Sequence, residues 1–126
     1  MNLNELKLNK VNVLVGHPKY IKEFLDILIN SNVEANLYVG NIESDLHFSE
    51  YKDKLITILK AGDKTPYIFA TQSKEILEIL ASLLDKKENI VNIINIYKNK
   101  NEDLKFVTLN QKAFISNIET NNELRD

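Results

Sequence analysis

The side chains of this chain best suited to chemistry are few. They are two histidines, His17 and His47; a small acidic group, Glu43, Asp45 and Glu50; Ser73, which precedes an apolar run; and Lys22, which follows Gly16. A histidine can ligate a metal or move a proton near neutral pH, but both histidines read as loop residues. An acidic group can hold a hard cation, and a solvated acidic loop has the same composition. Lys22 reads either as a phosphate contact or as a solvated lysine on an amphipathic helix. Ser73 has no neighbouring base to activate it and reads as a helix cap. There is no cysteine, which excludes disulfides, thiol catalysis and zinc–thiolate sites. No catalytic residue and no metal site emerge.

These residues need a scaffold, and the apolar pattern supplies one. Residues 11–15, VNVLV, form a β-branched run closed by Gly16, a buried-strand signal. Pro18 suits the first turn of a helix, and Ile21, Phe24, Leu25, Leu28 and Ile29 recur at helical spacing. Leu37 to Val39, within 35–39, reads as a second core strand, closed by Gly40. Phe48 to Ala61 reads as a helix, stopped by Gly62, and residues 66–70 as a third strand. Thr71 or Ser73 is the candidate cap of a helix that buries Ile76, Leu77, Leu80, Leu83 and Leu84. Ile90 to Tyr97 and Leu104 to Leu109 read as an antiparallel hairpin round a polar turn. A last apolar helix starts at Asn110 or Gln111, and residues 3–8 read as a short edge strand. Alternation of strands and helices predicts a mostly parallel sheet with helices on both faces, an α/β fold.

The 126 residues are expected to form a single domain, 1–126, with enough apolar content, 44%, for a core of its own. A net charge of −2 gives no basic excess to neutralise phosphates, so no nucleic-acid partner is predicted. No apolar run reaches the roughly 18 residues of a membrane span, and no apolar leader opens the chain. A cytoplasmic location is the expectation.

Residues 35–83 carry a resemblance. In ATP-binding-cassette ATPase heads of the SMC-like and OLD-like class, a strand ends in Asp-Glu and is followed by Ile-Glu-Asn-Gly-Leu-His. A helix comes next, then a strand ending in Thr-His-Ser, then Lys-Glu and an apolar helix. Here Ile42, Glu43, Leu46, His47, Phe69, Ala70, Thr71, Ser73, Lys74 and Glu75 keep that frame. Gly40 and Asn41 stand at the Asp-Glu positions, and Gln72 at the switch histidine. Val11-Asn12-Val13-Leu14-Val15-Gly16 resembles the phrase that leads into the family's phosphate loop, G-x-x-x-x-G-K-S/T. Gly16 and Lys22 match that loop, whereas Ile21 replaces its second glycine and Glu23 its magnesium-binding hydroxyl. The helical lobe and the signature Leu-Ser-Gly-Gly-Gln have no counterpart.

The resemblance implies a three-layer, P-loop-NTPase-like sheet. Strand 66–70 would lie between 11–15 and 35–39, strand 90–97 on the other side of 11–15, and the antiparallel hairpin at the C-terminal end. It also implies lost chemistry. Asn41 cannot serve as a base, Gly40 supplies no magnesium ligand, and Ile21 is a poor fit where a phosphate loop needs glycine. The expected protein is therefore a non-catalytic, pseudo-ATPase-like module without cofactor. Gly16 and Lys22 would be vestiges, and the role that of a protein-interaction or regulatory unit. The alternative is a nucleotide sensor that binds without hydrolysis. With the lobe absent, Tyr20, Ile42, Leu46 and Phe48 are expected to line an exposed edge that takes a protein partner or a second copy.

Overall fold

Asn12 is the one polar residue in the run that forms the central strand, and its side chain is buried with that strand. The structure, a computed structural model, describes residues 1–41, 48–62, 64–84 and 88–120, and of 37–41, 48 and 49 the backbone only. Strand β1, Val11–Gly16, is buried at every residue, as expected of a strand covered on both faces. Helix α1, Pro18–Asn30, buries Ile21, Phe24, Leu25 and Leu28. It ends at Ser31, whose N–H bonds back to the Ile27 carbonyl, and the next residue, Asn32, is left-handed with φ 58°. Strand β2 is Asn36–Asn41 and helix α2 Phe48–Lys60. Strand β3 is Tyr67–Ala70 and helix α3 Lys74–Leu83. Strands β4, Val91–Lys98, and β5, Leu104–Asn110, are followed by helix α4, Gln111–Glu119.

Among the described residues, five strands form one open mixed sheet in the order β2-β3-β1-β4-β5. The pairs β2–β3, β3–β1 and β1–β4 are parallel, and β4–β5 is antiparallel. Alternation along β1 divides the core. Val11, Val13 and Val15 face α2, α3 and α4, joined by Phe69, Ile93 and Phe114. Leu14 faces α1, with Ile68, Ile94, Ile96 and Phe24 around it. The fold is thus α/β, with helices on both faces of the sheet.

Residues 3–8 are not an edge strand. Leu3–Glu5 is a short 3₁₀ turn capped by the Asn2 side chain. Leu3, Leu6 and Leu8 cover the α1 side of the core. The reason lies in two buried asparagines that are register partners, Asn12 and Asn92. Asn12 Oδ1 accepts from Asn9 N–H at 2.8 Å, and Asn12 Nδ2 donates to the Asn9 carbonyl at 2.7 Å. Asn92 Nδ2 donates to the Lys7 carbonyl at 2.9 Å. Side chains of the central strands thus take up backbone groups that a ladder would use.

Gln111 does similar work behind β4. Its buried side chain accepts from Ile90 N–H at 3.0 Å and Val91 N–H at 3.1 Å, and donates to the Glu88 carbonyl.

Candidate functional site at the carboxyl edge of the sheet

The parallel strands β1 to β4 all end at one edge, where open α/β sheets bind ligands. Gly16 closes β1 with φ 136°, a conformation that residues with a Cβ rarely adopt. A Cβ built there would run into the Ile96 carbonyl of β4. A single residue, His17, separates β1 from α1. Its Nδ1 accepts from Lys19 N–H at 3.1 Å, which caps the helix, and Pro18 fills the first turn. The G-x-x-x-x-G-K phase therefore falls inside α1 rather than in a loop. Ile21 is buried in the core and Lys22 is exposed.

Gln72, just after β3, donates from Nε2 to the Gly16 carbonyl at 2.7 Å. That bond ties the exit of β3 to the exit of β1. Beside it Thr71 is buried; its N–H donates to the Leu14 carbonyl at 3.2 Å and its Oγ1 accepts from Ser73 N–H at 3.1 Å. Ser73 Oγ accepts from Ile76 N–H at 3.2 Å and caps α3, the role read from its position in the chain.

Tyr20 is half-buried. His17 stacks on it with ring centroids 5.2 Å apart, and Lys98 Nζ lies 5.3 Å from the ring centre. Lys98 also pairs with Glu23 at 3.4 Å, a partly exposed contact. Glu23 is thus turned toward a lysine of β4. Asn95, further along the same strand, has a buried Oδ1 with no hydrogen-bond partner among the described residues.

The remaining site residues are not brought together with these. Ile42, Glu43, Asp45, Leu46 and His47 lie outside the described residues. Phe48 opens α2, with its side chain likewise outside them, and Glu50 is exposed in the first turn of that helix. Among the described residues no group of three or more His, Asp or Glu is placed to hold a metal. Nor is any helix there long and apolar enough to cross a membrane. A cleft of about 610 Å³ opens at the opposite, amino edge, between Leu59 of α2, Leu83 of α3, Lys10 and Ile90. Lys10 Nζ is already engaged there by the Leu59 carbonyl at 2.6 Å.

Reading the chain for phosphate and cation chemistry missed the Gln72–Gly16 bond and the His17–Tyr20–Lys98–Glu23 group. The first had a faint signal, an amide side chain placed just past the end of a strand. The second joins α1 to β4 and had none. Compared with known proteins, the chain matches no family model, no curated protein and no solved structure.

Proposed function

We propose that this chain is a non-catalytic protein-interaction or regulatory module, a miniature relative of the cassette ATPase head that has lost its nucleotide chemistry. The strand order β2-β3-β1-β4-β5, with an antiparallel strand last, is the order that the resemblance implies for a P-loop-NTPase-like sheet. The observation that carries the loss of chemistry is the Gln72–Gly16 hydrogen bond over a one-residue β1–α1 link. A phosphate loop needs several consecutive N–H groups turned toward the anion. Here the chain passes from strand to helix within one residue, and the Gly16 carbonyl is held by an amide.

The working surface in this reading is the carboxyl edge, with Tyr20, Ile42, Leu46 and Phe48 meeting a protein partner or a second copy. Purified protein with magnesium and ATP or GTP is expected to give no turnover above background. Turnover that disappears in Lys22→Ala would overturn the reading.

The second reading is a nucleotide sensor without hydrolysis. Its support is the N-terminus of α1, whose first turn holds no acidic residue and lies beside Gly16. Ligand that binds only the folded chain raises its unfolding temperature in proportion to ln(1 + [L]/Kd). An ATP-dependent rise favours the sensor; no rise favours the interaction module.

A further inference from the structure

Among the described residues, strand β5 is the last strand of the sheet and pairs on one side only, with β4. The parity of that ladder shows which backbone groups are left over. The turn after β4 is closed by Asn99 N–H to the Asp103 carbonyl at 3.0 Å. Hydrogen-bonded and non-hydrogen-bonded pairs alternate along an antiparallel ladder. The pairs Tyr97/Lys105, Asn95/Val107 and Ile93/Leu109 are therefore the hydrogen-bonded ones. The N–H and C=O groups of Phe106 and Thr108 then point away from β4. Among the described residues nothing bonds to them.

Sheet edges of this kind are usually blunted by proline, a bulge or several charges. β5 has neither proline nor glycine, keeps an unbroken register with β4, and carries one charge, Lys105. Helix α4 leaves β5 toward β4 and α3 rather than over the open side. Val107 is 53% exposed and Tyr97 36%, both on the α4 face of this edge.

We propose that the open edge of β5 pairs antiparallel with β5 of a second copy, about a two-fold axis at Val107. The strand is complementary to itself in this register. Phe106 faces Thr108 of the other copy, and their free N–H and C=O groups supply the bonds. Val107 faces its own mate at a non-hydrogen-bonded position, where Cα atoms approach to about 4.5 Å and side chains are closest. Lys105 faces Leu109, so no like charges meet. A foreign strand could use the same backbone groups, but the apolar match at the axis and the spacing of the two lysines are properties of a like pair. This surface is separate from the carboxyl edge and does not depend on the pseudo-ATPase reading.

Sedimentation equilibrium of the full chain tests the proposal, beside Val107→Glu and Thr108→Pro. Val107→Glu sets two carboxylates against each other at the axis. Thr108→Pro removes an outward N–H while leaving the β4 ladder intact. The wild type is expected to dimerise at micromolar to tens of micromolar concentration, in the weak-interface range. Both variants should raise the dimer dissociation constant at least about tenfold. Amide exchange on the wild type gives a readout that needs no variant: Phe106 and Thr108 should become more protected as concentration rises, and Lys105 and Val107 should not. A wild type that stays monomeric at about 100 micromolar overturns the proposal. So does a dimer that survives Val107→Glu, or one lost on Tyr20→Ala with no concentration dependence at Phe106, which would assign association to the carboxyl edge.

Discussion

Gly16→Ala separates two explanations of why a glycine ends β1. If Gly16 is only a vestige of a phosphate loop, a methyl group there should matter little to an empty protein. The structure gives a different reason. The backbone has φ 136°, and the added Cβ would meet the Ile96 carbonyl, a backbone atom that cannot rotate away. Holding a residue in so sparsely populated a conformation costs roughly 1–3 kcal/mol. Forcing β1 and β4 apart to admit a methyl adds a similar amount, about 1–3 kcal/mol, by analogy with overpacked cores. Together these give a central value of about 4 kcal/mol, which corresponds, for a chain of this length, to a fall in Tm of roughly 15 °C. Gly62→Ala is the matched control: no atom lies within 4 Å of its added Cβ, so a change within about 0.5 kcal/mol is expected. Urea and thermal unfolding followed by circular dichroism measure both. A Gly16→Ala protein that keeps the fold and loses less than about 1 kcal/mol would refute the steric argument.

Gln111→Ala strands the N–H groups of Ile90 and Val91 and should cost about 3 kcal/mol in urea unfolding. A loss under about 1 kcal/mol would show that water reaches them. Ser73→Ala removes the α3 cap and should cost about 1 kcal/mol by the same assay. Lys22→Ala alters an exposed helix face; stability should stay within about 0.5 kcal/mol, and thermal shift with ATP and magnesium should match the wild type. Gln72→Ala should cost about 1 kcal/mol, and a gain of nucleotide binding in that variant would point to a site that the Gly16 bond keeps closed.

The central strands were legible because their composition allows little else. VNVLV is too short and too β-branched for a helix, and residues 66–70 are bounded by Pro66 and a capping Ser73. The helices were legible from apolar spacing alone. What the pattern could not hold was the use made of single polar side chains. Residues 3–8 alternate well enough to suggest a strand, but the Lys7 carbonyl is claimed by Asn92 and the backbone of the adjoining Asn9 by Asn12. That outcome depends on strands distant in sequence becoming neighbours. At the candidate site, Gly16 was found for its place in a motif, whereas its geometry answers to Ile96 of β4. Lys98 meets Tyr20 and Glu23 for the same reason: a long-range pairing puts β4 beside β1.

The two asparagines have a consequence for how the sheet finds its alignment. A strand that slips by one residue turns every side chain to the opposite face, and the first half of β4, VNII, offers its apolar residues little penalty for doing so, because both of its faces are buried. Asn92 breaks that degeneracy. Only in the native alignment does its amide stand beside Asn12 on the α1 face and reach the Lys7 carbonyl, 85 positions away. Shifted by one, it would face the apolar layer of α3 and α4 with no partner, and Lys7 would lose its donor. The N-terminal segment thus acts as a proofreader of strand alignment. It locks down only when β1 and β4 are correctly matched, and slow amide exchange at Asn9 is the expected sign that the check has been passed.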